Sequence, residues 1–276
     1  MSGPVDAAPS QDPKAAGEAP AAPAAREYHL QARGIDKRFG GIVALDGAEL
    51  RVRRGTLAAL IGPNGAGKST LFNVITGIQA PDAGTVEVAG ADITGRSLSQ
   101  VAASGVARTF QAPRGFATMT ALENLMVVPR SAGERLLTCL GPWGRSRRKV
   151  REQAERVLAR IGLEEQAGTR FEQLSVGQMR LLEIGRHLMR DVSLLLLDEP
   201  TSGVVPQQQQ QLGNLLTELR DEGMTILVVE HNLGFVMPLA SAVSVMDRGR
   251  IIASGPPADV QKDPSVIAAY LGGPGS

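Results

Sequence analysis

The stretch GPNGAGKST, Gly62 to Thr70, lies between a short apolar run, LAALI, and a segment of helical character, LFNVITGI. Its glycines leave the backbone open, so several N–H groups can converge on one anion, and the helix N-terminus behind them adds partial positive charge. Lys68 can then reach the outer phosphates of a nucleotide, and the Ser69 hydroxyl can bind Mg²⁺. The alternative is a flexible glycine-rich turn, but the strand before the motif and the helix after it favour a phosphate-binding loop.

The bulk composition argues against several classes of function. A net charge of +1 and an aromatic content of 3% do not fit a nucleic-acid-binding face, so we expect no nucleic-acid partner. The single cysteine, Cys139, gives no disulfide framework and fits a reducing cytoplasm. The three histidines lie far apart in the sequence and suggest no metal cluster. No apolar run approaches the length of about 20 residues that spans a bilayer.

We expect one folded domain behind an N-terminal tail. Residues 1–26 are rich in Ala and Pro, lack the apolar segment of a signal peptide and are predicted to be disordered. From residue 27 to residue 276 the pattern is that of an α/β domain. AELRVRR alternates apolar and charged residues, and with YHLQARGI and GTVEVAG it predicts an antiparallel sheet beside a parallel one.

Between about residues 112 and 180 the periodicity becomes helical. Val150, Ala154, Val157, Leu158 and Ile161 share one helical face, and Gly162 follows where a helix would end. This region is predicted to be a helical insert in the α/β frame.

After the insert the α/β alternation resumes. SLLLLDEP and MTILVVEH are predicted buried strands, and between them Pro206 opens a helix that Gly223 ends. AVSVMDRGRIIASG predicts a hairpin turning at Arg248 and Gly249, and DPSVIAAYL predicts a short closing helix.

Two carboxylates and a histidine follow these buried strands. Asp198 and Glu199 end the first strand and His231 ends the second, at the sheet edge where ligands bind in open parallel sheets. Asp198 would hold Mg²⁺, and Glu199 could deprotonate the water that attacks a γ-phosphate. His231 could hydrogen-bond that phosphate. An acidic turn and a packed histidine are the alternatives, but the phosphate loop in the same chain favours catalysis.

LSVGQMR, Leu174 to Arg180, places a serine and a glycine at the start of another helix, which makes a second anion-binding terminus. One chain needs only one cradle for its own triphosphate. The second cradle is therefore interpreted as a cap for a nucleotide held by another subunit.

The ordered motifs GPNGAGKST, RTFQ, LSVGQ, LLLLDEP and VVEH resemble those of the ATP-binding cassette (ABC) ATPases, and the resemblance covers the chain from about Glu27 to its end. It implies a P-loop NTPase fold with a parallel core sheet, a flanking antiparallel β-subdomain and a helical subdomain. It also implies an ATPase that dimerises head to tail around two ATP molecules.

The resemblance assigns roles to residues one by one. Glu199, His231, Gln111 and Lys68 would be catalytic, and Ser69, Gln111 and Asp198 would hold Mg²⁺. Phe39 resembles the aromatic that stacks on adenine. The remaining ATP contacts would come from Gly62, Pro63, Asn64, Gly65, Ala66, Gly67, Lys68, Ser69 and Thr70, and those to the partner's ATP from Ser175, Gly177 and Gln178.

The sequence around these motifs is similar to one ATP-binding subunit of branched-chain amino acid importers. The similar segments include FGGIVALDGAEL, RTFQAPRGFATMTALENL and VIAAYLG. That resemblance implies two transmembrane permeases, a second ABC ATPase, expected to be a paralogue, and an indirectly coupled periplasmic or extracellular solute-binding protein. The chain would then lie peripherally on the cytoplasmic face of the inner membrane.

Other ABC classes fit less well. Importers of urea and short-chain amides use closely similar ATPases and stay open. RTFQ with MTALENL argues against a lipopolysaccharide-type exporter, and the Gln111-to-Ser175 stretch is too short for the coiled coil of DNA-repair ATPases. Translation-type relatives carry two cassettes in one chain, whereas this chain carries one.

The chain departs from the family pattern at three places, one of them Val176 in LSVGQ, where the family often has Gly or Tyr. Val205 stands where the family usually has Asp or Asn, and the following run Gln207–Gln211 lacks the acidic residue common there. A valine side chain makes no hydrogen bonds. Harmless variation at a helix start and weakened communication between two ATP sites both remain open.

Overall fold

The computed structural model of the chain describes residues 27–128 and 143–271. The predicted tail, residues 1–26, and Cys139 lie outside the described residues. In chain order the strands are β1 (Tyr28–Phe39), β2 (Ile42–Arg53), β3 (Leu57–Ile61), β4 (Ala83–Val88), β5 (Ala91–Asp92), β6 (Val106–Arg108), β7 (Leu194–Asp198), β8 (Thr225–Val229), β9 (Ala242–Asp247) and β10 (Arg250–Gly255).

The described helices connect and cover these strands. They are α1 (Lys68–Ile75), α2 (Leu98–Ala103), α3 (Ala121–Met126), α4 (Trp143–Arg160), α5 (Val176–Leu188), α6 (Pro206–Asp221), α7 (Leu233–Val236), α8 (Pro257–Val260) and α9 (Pro264–Leu271), with a 3₁₀ turn at Phe171–Gln173. No described helix is both long and apolar enough to cross a bilayer.

The strands form two sheets. One has the order β2-β1-β4-β5 and is antiparallel throughout, and the other has the order β10-β9-β3-β8-β7-β6. In the second sheet all pairs from β9 to β6 are parallel, and only β10 is antiparallel to its neighbour. The prediction of a parallel core sheet beside an antiparallel one is confirmed.

Both faces of the parallel sheet are buried, which explains why its strands read as continuous apolar runs rather than alternating ones. In β7, for example, Leu195 and Leu197 pack into a core shared with the helices α5 and α6. Leu194 and Leu196 on the opposite face pack into a core shared with α1 and the antiparallel sheet. The ends of the parallel strands β3, β8 and β7 therefore lie side by side at one edge of the sheet.

Between β6 and β7 the described residues form helices and one isolated bridge, Thr120 to Arg170. The apolar face predicted for α4 is packed inward, with Ala154, Leu158 and Ile161 almost fully buried. The predicted upper end of the helical insert, at about residue 180, lies inside α5, which runs to Leu188.

The predicted elements of the C-terminal half are found at the expected places. Pro206 begins α6, and its apolar face, Leu212, Leu215, Leu216 and Leu219, is buried. The β9–β10 hairpin turns at Arg248 and Gly249, both of which have positive φ angles.

Candidate functional site

The phosphate loop joins β3 to α1 and depends on two of its glycines for steric reasons. Gly62 and Gly67 have φ angles of 148° and 105°, which L side chains rarely adopt. A Cβ atom at Gly62 would lie 2.1 Å from the Met246 carbonyl oxygen, and one at Gly67 would lie 2.6 Å from the Ala44 carbonyl oxygen. The loop therefore packs directly against neighbouring backbone, and α1 begins right behind it at Lys68.

Lys68 lies inside this loop. Its ammonium donates to the carbonyl oxygens of Gly62 at 2.7 Å and Pro63 at 2.9 Å. Burial lowers the pKa of Lys68, and the negative charges of Glu199 and Asp198 act in the opposite direction. The charges of both carboxylates therefore act on the Lys68 ammonium, whose catalytic role stays a prediction.

Glu199 is held at the end of β7 in an unusual backbone conformation. It is a non-glycine residue with a φ of 45°, and its N–H donates to the Val229 carbonyl oxygen of β8 at 2.9 Å. Its carboxylate oxygen Oε2 lies 3.4 Å from Gln111 Nε2 and 3.8 Å from His231 Nδ1. Strained backbone of this kind often marks functional sites, and here it points one carboxylate at two side chains predicted to be catalytic.

Asp198, immediately before it, is paired with an arginine that the sequence analysis did not single out. Arg108 Nη2 donates to Asp198 Oδ2 at 2.9 Å, and the two side chains are 8% and 10% exposed. Arg108 Nη1 also donates to Asn73 Oδ1 at 2.7 Å and to Thr76 Oγ1 at 3.1 Å, both at the end of α1. Arg108 therefore ties the strand that carries Asp198 to the helix that follows the phosphate loop. The arginine of RTFQ was the available signal.

Replacing Arg108 with methionine is expected to lower the free energy of unfolding by about 3–5 kcal/mol, because it leaves the buried Asp198 carboxylate without its counter-charge. Urea denaturation of the purified chain measures this loss. Arg160→Met is the matched control, since Arg160 is 26% exposed and its pairs with Glu218 and Glu222 are solvated; its expected cost is about 1 kcal/mol or less. Equal losses in the two variants would contradict the role given to the Arg108–Asp198 pair.

A second buried pair holds the Gln111 segment. Arg180 in α5 donates to the carbonyl oxygens of Phe110 and Gln111, the latter at 2.6 Å, and pairs with Glu183 at 3.0 Å. Burial raises the pKa of Glu183, and Arg180 opposes this effect. The helix that begins at the LSVGQ motif is thereby linked to the residue predicted to contact the attacking water. In the sequence these two residues were hidden within an apolar-periodic segment.

Glu230, fully buried at the end of β8, also escaped the sequence analysis. Its carboxylate accepts hydrogen bonds from Thr201 N at 2.9 Å and from Thr201 Oγ1 at 2.7 Å. It also accepts from the backbone N–H groups of His231 and Asn232, each at 3.1 Å. Glu230 thus fixes the two loops that carry Glu199 and His231 relative to each other.

The three histidines have different environments. Burial lowers the pKa of His29 to about 4 and that of His187 to about 4, so both are neutral at physiological pH. His231 is exposed at the edge of the sheet beside Glu199. That His231 faces a bound nucleotide stays a prediction.

The predicted second cradle lies at the N-terminus of α5. Ser175 is the N-cap residue, and it forms a reciprocal pair of hydrogen bonds with Gln178. Ser175 Oγ is also bonded to Gln208 of α6. Among the described residues, no hydrogen bond joins Ser175, Gly177 or Gln178 to the phosphate loop of the same chain.

Two further positions from the sequence analysis are at the surface. Phe39, at the end of β1, is 43% exposed, and its ring is 5.7 Å from Lys37 Nζ. Val205 is the N-cap of α6, 56% exposed, and makes no side-chain capping bond. Phe39 is therefore free to meet a flat ligand.

The oxygen donors at this edge fit Mg²⁺ arriving with a nucleotide. No group of three His, Cys, Asp or Glu side chains within residues 27–128 and 143–271 can hold a metal by itself. Mg²⁺ in nucleotide sites typically takes one or two carboxylates and completes its shell with substrate phosphates and water. Within the described part of the chain, Arg108 binds Oδ2 of Asp198 and not Oδ1, which leaves Oδ1 for such an ion. The Ser69 hydroxyl is exposed at the start of α1.

The chain matches two known protein families. The family described as "ABC transporter" matches residues 45–202, and the family described as "Branched-chain amino acid ATP-binding cassette transporter" matches residues 250–275. The chain is 36% identical over 244 residues to a "Probable branched-chain amino acid transport ATP-binding protein LivG" of Archaeoglobus fulgidus, covering 88% of this chain and 95% of that protein.

A second relative and a solved structure agree with this assignment. The "High-affinity branched-chain amino acid transport ATP-binding protein BraF" of Pseudomonas aeruginosa is 38% identical over 248 residues, covering 88% of this chain and 97% of that protein. The crystal structure of a nucleotide-free ATP-binding cassette from an ABC transporter matches with a TM-score of 0.78 and 36% identity, covering 88% of this chain and 98% of that one. The chain therefore belongs to the ABC transporter family and is one of its ATP-binding cassette ATPases.

Proposed function

We propose that this chain is the ATP-hydrolysing subunit of an importer for branched-chain amino acids. The relatives at 36% and 38% identity carry that transport activity in their names, and the match over residues 250–275 favours it over urea or short-chain amide import. The observation that carries hydrolysis is the convergence of Gln111 and His231 on the Glu199 carboxylate.

In the proposed mechanism the phosphate loop binds the triphosphate of ATP. Its backbone N–H groups and the N-terminus of α1 face the anion, and the Lys68 ammonium supplies a full positive charge. The other loop residues, Pro63, Asn64, Gly65, Ala66 and Thr70, shape the same cradle, while Phe39 stacks on the adenine. Ser69, Gln111 and Asp198 would hold Mg²⁺, which would supply positive charge to offset the charge on the phosphate oxygens.

Hydrolysis then requires a base and an orienting set of donors. Glu199 accepts a proton from the water that attacks the γ-phosphate, while Gln111 positions that water. His231 hydrogen-bonds the γ-phosphate and keeps it in line with the base. Glu230 and the Arg180–Glu183 pair support these side chains from behind, so the geometry is preorganised rather than assembled by each reaction.

A second ABC ATPase, expected to be a paralogue, completes the site. Ser175, Gly177 and Gln178 form a helix N-terminus suited to an anion, and none of their hydrogen bonds among residues 27–128 and 143–271 reaches the chain's own phosphate loop. We propose that they contact ATP bound by the partner in a head-to-tail dimer. The chain's own ATP is capped in the same way by the partner.

The permease contact is proposed to lie between residues 112 and 124, on a helical subdomain that spans about residues 112–180. The buried Asn124 side chain binds the backbone of this segment: it accepts from Phe116 N at 2.8 Å and donates to the Phe116 and Met119 carbonyl oxygens, each at 3.1 Å. Phe116 remains 47% exposed, with the Arg186 guanidinium 5.3 Å from its ring. This braced segment presents an aromatic anchor beside a cation, a combination enriched in protein interfaces.

Replacing Phe116 with aspartate is expected to abolish permease assembly and transport, because it puts a charge at the centre of the proposed contact. The soluble chain should stay folded and bind ATP, since its backbone brace depends on Asn124. Pull-down of permeases from membranes and solute uptake measure the effect.

Leu98→Asp is the matched control. Leu98 is also an exposed apolar residue, 45% exposed, but it lies at the start of α2 outside the proposed contact. Leu98→Asp should assemble and transport normally. Normal transport by Phe116→Asp, or crosslinks to the permeases formed only through the Asp247–Gly255 hairpin, would show that the coupling surface is misplaced.

The proposed complex places the chain peripherally on the cytoplasmic face of the inner membrane, next to two permeases, with a periplasmic or extracellular binding protein acting through them. Affinity purification from detergent-solubilised membranes through a tag on this chain tests this arrangement. Two permeases and a second cassette should appear by mass spectrometry in fixed stoichiometry. Recovery of the chain without any membrane protein would contradict the proposal.

A further inference from the structure

Gln208, in the first turn of α6, packs on the N-terminal turn of α5. Its Nε2 donates to Ser175 Oγ at 2.7 Å. Its Oε1 lies so close to Gly177 that a Cβ atom there would be 2.2 Å away. The glutamine run that departs from the family pattern therefore places one of its amides directly against the Ser-x-Gly turn.

This contact determines to which group the Ser175 hydroxyl can donate its hydrogen bond. A serine hydroxyl has one O–H donor and two acceptor lone pairs. Ser175 Oγ accepts from the Gln178 backbone N–H at 3.2 Å and from Gln208 Nε2 at 2.7 Å, which engages both lone pairs. The proton must then be donated to a third group, and Ser175 is exposed, so that group can come from outside the chain.

The neighbouring glutamines have other contacts. Gln209 Nε2 donates to the Val204 carbonyl oxygen at 2.8 Å, and Gln211 Nε2 donates to the Ile161 carbonyl oxygen at 3.0 Å. Gln210 is exposed. Within the described part of the run, Gln208 is thus the glutamine that is bonded to Ser175, and Gln210 offers a control on the same helix.

We propose that Gln208 is a positioning residue. By occupying a lone pair of Ser175 Oγ, it leaves the Ser175 hydroxyl to act as a hydrogen-bond donor to the γ-phosphate of ATP held by the second cassette. Phosphate oxygens act as hydrogen-bond acceptors near neutral pH. A hydroxyl that is already oriented as a donor therefore binds them without first reorganising. The inference rests on the proposed function, because it needs a second cassette whose ATP meets Ser175.

The test uses the transporter purified from membranes through a tag on this chain, with two opposite substitutions. Gln208→Glu keeps a hydrogen bond to Ser175 but reverses it, because a carboxylate accepts the serine proton and also places negative charge beside the phosphate. ATP turnover of the complex is expected to fall about 100-fold. Gln208→Lys keeps a donor at this position, and turnover should stay within about threefold of that of the unsubstituted complex.

Two controls separate this role from a purely structural one. Gln210→Glu and Gln210→Lys make the same charge changes on the same helix and should leave turnover unchanged. If Gln208 only braced α6 against α5, Gln208→Glu and Gln208→Lys would change turnover to the same extent. The melting temperature and the ATP affinity of the isolated chain should match the unsubstituted chain in both Gln208 variants, since the chain's own phosphate loop is untouched.

The outcomes distinguish this inference from the proposed function. If the unsubstituted chain brings down neither permeases nor a second cassette, the proposed function fails and this inference fails with it. If the complex assembles and Gln208→Glu hydrolyses ATP at the normal rate, only the role of Gln208 is overturned. A loss in Gln208→Glu that Gln210→Glu reproduces would also overturn it, because the effect would then be one of charge alone.

Discussion

Replacing Glu199 with glutamine lowers ATP turnover by about 10²–10⁴-fold in our expectation, because the amide cannot accept the proton of the attacking water. ATP binding should be retained, since the phosphate loop and Lys68 are unchanged. Together with the second cassette, the variant should therefore accumulate as an ATP-bound closed dimer. Phosphate release under saturating ATP measures turnover, and size-exclusion chromatography with ATP measures the dimer.

Glu218→Gln provides the matched control. It makes the same chemical change at an exposed carboxylate on α6, away from the end of β7. The Glu218 carboxylate lies 2.9 Å from Arg160 Nε. Its turnover should equal that of the unsubstituted chain. Wild-type turnover in Glu199→Gln would remove Glu199 from the role of general base.

Replacing Lys68 with alanine is expected to act one step earlier and to weaken ATP binding by about 100-fold. The substitution removes the one full positive charge inside the loop, and losing one partner of a buried charge pair costs about 2–5 kcal/mol. Isothermal titration with ATP measures the affinity directly.

Lys262→Ala, at an exposed position just after α8, should bind ATP normally and controls for the loss of a positive charge. Unchanged ATP affinity in Lys68→Ala would count against the phosphate-binding role of the Gly62–Thr70 loop.

Much of the fold was predictable because the signals were local. The buried strands β7 and β8 are continuous apolar runs with two covered faces, and α6 has both a starting proline and an ending glycine. Strand β6 was missed because it has only three residues, Val106–Arg108, and its pairing with β7 comes from a segment almost 90 residues away. Short strands fixed by distant partners leave no periodicity to detect.

The residues of the candidate site also fall into a group that the sequence predicted and a group that only the structure revealed. Lys68, Asp198, Glu199 and His231 stood in motifs whose spacing is visible in the sequence, and the structure brings them to one edge. Arg108, Arg180 and Glu230 were missed because their importance comes from what they touch: a carboxylate 90 positions away, two carbonyl groups of another segment, and two loops at once. Burial of a charged side chain was the decisive signal, and only the three-dimensional structure reveals it.

For the glutamine run, the sequence marked the residues but could not predict their contacts. The sequence marked Gln207–Gln211 as a departure from the family pattern but assigned no contact to it. The structure gives Gln208, Gln209 and Gln211 three different hydrogen-bond partners. A low-complexity run can therefore contain residues with separate roles, and Gln208 is the one against the Ser175 hydroxyl.

The most direct test of the central proposal is the ATP turnover of the purified transporter in proteoliposomes, measured with and without leucine and its binding protein. Leucine should raise turnover, urea should not, and the Glu199→Gln complex should show neither basal nor stimulated hydrolysis. Stimulation by urea but not by leucine, or hydrolysis that persists in the Glu199→Gln complex, would contradict the proposal that this chain powers branched-chain amino acid import through the site at the ends of β7 and β8.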